Sequence, residues 1–296
     1  MRVLVVGATG TLGHRLCMEW SKRFECFGTV REPVPGAVAG LLGSTTLIPG
    51  VTAEDPESLH HALEQARPEV VVNCIGAVKQ AEAGQQAVPA IRINSLFPHE
   101  LAAVCSDHSA RMVHVSTDCV FSGKRGNYGE DDVPDATDIY GRSKLLGEVS
   151  GDGLLTLRTS LIGRELKGTL GLLEWLISNR GGSVRGFSRA VFSGFTTQAL
   201  AGELAFLIEQ HAELEGVWHL AAQPIDKLAL LTGLNEALQL GIEVVPDADV
   251  VIDRSLDSSR LQSATGRQPR GWGEMIDELA ADETPYEDIR RELAEG

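Results

Sequence analysis

Tyr140 and Lys144 stand four residues apart in Asp138-Ile-Tyr-Gly-Arg-Ser-Lys-Leu-Leu-Gly-Glu148, a segment that reads as the start of a helix. At that spacing the phenol and the ammonium share one helix face. The cation would stabilise the tyrosinate and lower the phenol from its ordinary value near ~10 towards working pH, ready to exchange a proton with a substrate hydroxyl or carbonyl. Taken alone, the pair reads first as a solvated helix face, so its meaning depends on what the rest of the chain brings to it.

The amino-terminal stretch supplies a partner for that chemistry. Residues 2–6 form a short apolar run, followed by Gly7-Ala-Thr-Gly-Thr-Leu-Gly13 and a helical pattern. In this strand, turn and helix, Gly7 permits the tight turn, Gly10 lets the backbone approach a pyrophosphate and Gly13 allows close helix–strand packing. Free amides at the helix start would face the phosphates, which makes Thr9, Thr11 and Leu12 cofactor contacts as well. The second strand pattern, residues 24–30, ends in Arg31 rather than a carboxylate. A cation there suits the 2′-phosphate of NADP(H); Glu32 beside it keeps NAD(H) as an alternative.

These residues need a frame. Apolar runs at residues 3–6, 26–30, 70–73, 112–115 and 154–157 alternate with helical patterns at 56–67 and 98–106, each with proline near its start. Such alternation predicts an α/β, Rossmann-type doubly wound parallel sheet, covered by helices on both faces. Ligands bind such sheets beyond the carboxyl ends of the strands, where Gly7, Arg31, Asn73 and Ser116 all fall. Asn73-Cys74-Ile75-Gly76 is therefore a cofactor segment, and a Thr117 hydroxyl lies within reach of Tyr140. Beyond residue 160 the pattern is less regular. The expected division is a nucleotide-binding part at 1–160 with a returning segment at about 191–222, and a smaller substrate-binding part at 161–190 and 223–296.

Composition narrows the function classes. Over 296 residues the formal charge is −15, with no cluster of Lys and Arg that could track phosphates, so no nucleic-acid partner is expected. Residues 274–296 carry nine carboxylates against Arg290 and Arg291, which reads as a solvated terminal helix and tail. Five scattered cysteines without a Cys-x-x-Cys pair suggest neither a disulfide framework nor a metal site. With no leader pattern and no apolar run approaching the ~18 residues of a membrane span, a cytoplasmic protein without membrane association is expected.

The chain resembles the extended short-chain dehydrogenase/reductase superfamily and, within it, the dTDP-4-dehydrorhamnose reductase family. The resemblance rests on Gly7-x-x-Gly10-x-x-Gly13, Asn73-Cys-Ile-Gly76, Ser116-Thr-Asp-Cys-Val-Phe-Ser-Gly123, Tyr140-Gly-Arg-Ser-Lys144 with Gly147-Glu148, Leu157-Arg-Thr-Ser160 and Arg254-Ser-Leu-Asp-Ser-Ser259. It implies Tyr140 as proton donor, Lys144 as its electrostatic partner and ribose ligand, and Thr117 as the hydroxyl that orients a carbonyl. It also implies a nucleotide-sugar substrate touching Asp118, Cys119, Arg185 and Ser193, interleaved domains with the strand near Val217 returning to the nucleotide sheet, and room for a homodimer.

Many of these reductases look aromatic where this chain has Cys119, and related 4,6-dehydratases look like Thr-Asp-Glu. Without the second carboxyl, elimination of water is disfavoured. The reading is an NADP-dependent reductase of a nucleotide-activated 4-keto-6-deoxyhexose, dTDP-linked or on a UDP-linked 2-acetamido sugar. A sugar-nucleotide 4-epimerase and a non-catalytic NADP-binding regulatory subunit are the alternatives.

Overall fold

The structure is a computed structural model that describes residues 1–79 and 81–295. Its centre is a seven-stranded, all-parallel sheet built from β1 (Arg2–Val6), β2 (Glu25–Thr29), β3 (Thr46–Ile48), β4 (Val70–Asn73), β5 (Arg111–Thr117), β6 (Leu154–Thr159) and the strand Gly216–His219. The spatial order is β3-β2-β1-β4-β5-β6 followed by Gly216–His219, which lies parallel to β6 with Val217 opposite Thr156. Gly216–His219 thus forms the edge of the central sheet next to β6. β3, only three residues long at the sheet edge, has no counterpart among the strands expected from the sequence.

Continuous apolar runs make these strands because both faces are covered. Val3, Leu4, Val5 and Val6 are fully buried, Val3 and Val5 with one core cluster and Leu4 and Val6 with the other. On one side pack helix α1 (Thr11–Trp20) and the helix Thr197–Gln210; on the other, Pro56–Ala66 and Phe97–Asp107. Pro56 occupies the first turn of its helix and Asp55 caps it by accepting from the Glu57 amide. Strand order reverses between β1 and β4, so the glycine turn and residues 74–76 border the crevice where such sheets bind ligands.

The remainder of the chain adds three small strand groups and more helices. Ser183–Phe187 pairs in parallel with Glu243–Asp247, while Ala190–Phe192 lies between Ile225–Asp226 and Ile252–Asp253. The acidic carboxyl-terminal segment corrects the expectation of a solvated tail. In the helix Trp272–Ala280, Trp272, Met275, Ile276 and Leu279 are buried, and Tyr286 and Ile289 join the same core. The carboxylates occupy the outer faces of an amphipathic pattern. Among the described residues no helix is long and apolar enough to cross a membrane.

Candidate active site

A cavity of about 610 Å³ runs from the glycine turn across the carboxyl ends of β4, β5 and β6 to the small strands of the carboxyl-terminal part. At its first end Gly7 has φ +93°, and a Cβ there would stand 2.8 Å from Ile75. A Cβ on Gly13 would come within 2.0 Å of the Gly7 carbonyl, so only glycine lets α1 abut the turn this closely. Gly10 lines the cavity with Thr11 and Leu12, and no side chain caps α1. The start of that helix therefore opens towards a ligand. Thr9 is exposed on the turn. Thr29 anchors the loop, its Oγ1 accepting from the Gly7 amide at 3.0 Å and its carbonyl from Ala8 at 2.9 Å. Arg31, exposed, follows two residues later at the same sheet edge.

Cys74, Ile75 and Gly76 line the cavity, whereas the Asn73 side chain is fully buried and does not. Its Oδ1 accepts from the Ile75 amide at 3.0 Å and its amide group meets His114 Nδ1 at 3.1 Å. Asn73 shapes the turn, which corrects its expected role as a cofactor contact. Asn94, which the sequence reading did not single out, continues the job. Its side chain binds both the amide and the carbonyl of Ala77, at 2.8 and 3.1 Å, and donates to Ser143 Oγ at 3.1 Å. The sequence offered no distinct signal, since Asn94 is one of three polar residues in Ile91–Leu96.

The Tyr140 helix, Ile139–Leu146, is capped by Asp138, which accepts from the Gly141 amide at 2.8 Å and from Lys79 Nζ at 2.7 Å. A Cβ on Gly141 would lie 2.2 Å from the Cys119 carbonyl, so this glycine lets the helix dock directly on the turn after β5. That contact brings Tyr140 and Lys144 into the cavity beside Thr117, Asp118 and Cys119.

The electrostatics differ from the sequence expectation. Lys144, almost wholly buried, donates to the Val115 carbonyl at 2.8 Å, and burial lowers it to about 8 against the attraction of Glu148. The Tyr140 phenol is pushed well above its ordinary range by burial, helped by Cys119 and opposed by a hydrogen bond from Thr117. Desolvation dominates, so the phenol stays protonated and can act as a proton donor. Burial and the neighbouring Asp118 push the Cys119 thiol up to about 12, and burial also raises the Asp118 carboxyl.

Arg185 and Ser193 are corrected as substrate contacts. Arg185 lies on a strand, exposed, paired with Asp247 at 3.1 Å and stacked over Phe187. Ser193 is buried, its Oγ accepting from the Leu256 amide at 2.9 Å. Neither lines the cavity; Lys227 and Arg254 do.

The family model described as the RmlD substrate binding domain matches residues 1–229. This chain belongs to that family. Among similar RmlD-type and related proteins is the dTDP-4-keto-6-deoxy-D-glucose reductase of Streptomyces niveus, 34% identical over 177 residues, 55% of this chain and 54% of that one. The probable low-salt glycan biosynthesis reductase Agl14 of Haloferax volcanii is 29% identical over 80% of this chain and 84% of its own. Methionine adenosyltransferase 2 subunit beta of Rattus norvegicus is 28% identical over 50% of this chain and 41% of its own. The chain thus spans about half the length of the Streptomyces and rat relatives. Its fold is that of a hypothetical dTDP-4-dehydrorhamnose reductase from Sulfolobus tokodaii, with a TM-score of 0.74 at 26% identity, covering 89% of this chain and 94% of that one.

Proposed function

We propose that this protein is an NADP(H)-dependent reductase of a nucleotide-activated 4-keto-6-deoxyhexose, acting in the cytoplasm on a precursor of deoxysugar or polysaccharide synthesis. The observation that carries the reading is the meeting of Thr117, Tyr140 and Lys144 in one cavity with the glycine turn. The amides at the start of α1 fit a pyrophosphate, and Arg31 at the same sheet edge fits a 2′-phosphate. Bound NADPH supplies the hydride for C4.

The chain's own residues do the rest. Thr117 hydrogen-bonds the carbonyl oxygen and fixes its direction. Tyr140, held protonated, donates its proton to that oxygen as negative charge develops on it. Lys144, near Tyr140 and fixed on Val115, stabilises the tyrosinate left behind and holds the ribose.

The test is incubation with NADPH and dTDP-4-keto-6-deoxyglucose, or a UDP-linked 4-keto 2-acetamido sugar, following nicotinamide absorbance and product mass. A reductase consumes one NADPH per product and adds two hydrogens. In a parallel incubation with the corresponding 4-hydroxy sugar nucleotide, inversion of C4 at unchanged mass would identify the epimerase, and cofactor binding without turnover of any of these substrates would identify the non-catalytic subunit.

A further inference from the structure

Only two of the residues that line the cavity are acidic, Asp118 next to Thr117 and Glu165 in the segment between Ile162 and the helix Leu172–Ser178. The backbone of Glu165 is held at both polar groups. Its amide donates to Glu174 Oε1 at 2.9 Å, and its carbonyl accepts from Arg290 Nε at 2.9 Å and from Nη2 at 2.7 Å. Glu174 is itself buried and fixed from two sides. Arg164 Nε donates to its Oε1 at 2.7 Å, and Arg290 Nη2 forms an ion pair with its Oε2 at 2.8 Å. Arg290 comes from the helix Tyr286–Glu295, so a distant part of the chain sets where Glu165 stands. Leu166, the next residue, is anchored in the core.

The carboxylate, in contrast, is held by one oxygen only. Oε2 accepts from the Leu170 amide at 3.1 Å, whereas Oε1 makes no hydrogen bond and no ion pair among the described residues. Lys79, Lys144, Lys227 and Arg254 line the same cavity, yet none of them pairs with Glu165. Gly171 faces the free oxygen, since a Cβ there would come within 2.9 Å of Oε1. Any side chain at 171 would crowd that oxygen, and the glycine, which also lines the cavity, leaves it open. A carboxylate oxygen drawn out of water by a bound molecule needs a donor in exchange. It repels a phosphate and takes up an uncharged O–H or N–H in a charge-assisted hydrogen bond.

We infer that Glu165 is a ligand-binding carboxylate: its Oε1 accepts a hydrogen bond from an uncharged donor of a molecule bound in the cavity, and Glu174 and Arg290 are the positioning residues that hold it there. The inference rests on the nucleotide-sugar reductase reading above and deepens it. That reading brings two kinds of uncharged donor to the cavity, the carboxamide N–H of the nicotinamide and the hydroxyls of the hexose. Both offer the same chemistry to Oε1, and they are told apart by ligands that lack one or the other.

The experiment is calorimetric titration with matched pairs of ligands. NADPH is compared with 2′-phospho-ADP-ribose, which lacks the nicotinamide. In protein saturated with NADP⁺, dTDP-glucose and UDP-N-acetylglucosamine are compared with dTDP and UDP, which lack the hexose. In Glu165→Ala a complete ligand should bind about tenfold or more weakly, the loss of one hydrogen bond to a charged group, while its truncated partner changes less than about twofold. The unchanged truncated ligands also show that the variant is folded. Glu165→Gln, which keeps an acceptor oxygen without the charge, should lie between wild type and Glu165→Ala. A loss on NADPH assigns the donor to the carboxamide, and a loss on a sugar nucleotide assigns it to the hexose. Complete ligands that bind Glu165→Ala as they bind wild type, or losses shared equally by the truncated partners, would overturn the inference. If wild type binds no sugar nucleotide, that reading fails by itself, and the NADPH pair decides for Glu165: a loss there upholds its role and no loss removes it.

Discussion

Glu148 follows Lys144 by four residues and accepts hydrogen bonds from both Nε and Nη2 of Arg158 at 2.8 Å, and from Ser116 Oγ at 2.8 Å. Its side chain is 7% exposed and that of Arg158 6%, so the pair is buried, and through Ser116 it adjoins the end of β5 that carries Thr117. Arg158 also lies over the Phe121 ring and meets His219 of the last sheet strand at 3.3 Å. One charged contact thus ties the Tyr140 helix, β5 and β6 to the strand that returns from the carboxyl-terminal part.

Glu148→Gln keeps the shape and removes the charge, leaving a buried guanidinium uncompensated. The expected loss of stability is about 3 kcal/mol, measured by denaturant unfolding. A second effect follows from sign: Glu148 raises the Lys144 ammonium, which burial holds at about 8, so its removal lowers Lys144 further. The alkaline limb of kcat/KM should move to lower pH in the variant. An unshifted limb would mean that Lys144 is not the group that titrates there.

Tyr140→Phe retains the ring and removes the only proton that the phenol can donate. Turnover should fall about 10²-fold or more with NADPH affinity nearly unchanged, whereas Lys144→Met should impair both. Normal turnover by the Phe variant would exclude Tyr140 as the acid. Because burial raises the phenol, the difference between spectrophotometric titrations of wild type and Tyr140→Phe should show no tyrosinate absorbance up to at least pH 9.

Local signals made much of this legible beforehand. β1, the glycine turn and the Tyr140 helix are short-range features, and apolar runs buried on both faces announce a parallel sheet. What was not legible depends on tertiary placement. Arg185 sits in a glycine-rich stretch that reads as a loop, but pairing with Glu243–Asp247 turns it into a strand that points Arg185 outwards. Lys227 lies in unremarkable surroundings and Arg254 opens a motif to which no role was given, and only the packing of their segments around Phe192 and Phe121 brings them to the cavity. The acidic tail misled because net charge hides the spacing of Trp272, Met275, Ile276 and Leu279. Helical spacing from Lys144 likewise carries no information about burial, which raises the Tyr140 phenol.

Arg31→Ala tests cofactor choice. If the guanidinium meets a 2′-phosphate, NADPH affinity should fall by about 1.5–3 kcal/mol, the range for a charged hydrogen bond, and NADH affinity should hardly change. Direct titration of both cofactors decides, and equal losses would remove Arg31 from the site.

The carboxyl-terminal segment reaches the glycine turn through two side chains. His14 Nδ1 stands 2.8 Å from the Gly10 carbonyl and Nε2 stands 2.9 Å from the Tyr286 hydroxyl, which in turn accepts from Arg15 Nη2 at 2.9 Å. Burial lowers His14 to about 4, so the ring is neutral at working pH. Its Nδ1–H therefore donates to Gly10 and its Nε2 accepts from Tyr286. Between pH 6.5 and about 4 the unfolded chain binds a proton at this histidine that the folded one excludes. Stability should therefore fall on acidification through that window, by up to about 1.4 kcal/mol per pH unit. Tyr286→Phe leaves Nε2 without its donor and should cost about 1–3 kcal/mol at neutral pH. His14→Gln should flatten the acid dependence. An acid limb that persists unchanged in His14→Gln would assign it to other groups, whereas a flattened limb together with weaker NADPH binding in Tyr286→Phe would show that the carboxyl-terminal segment holds the phosphate-binding turn in place.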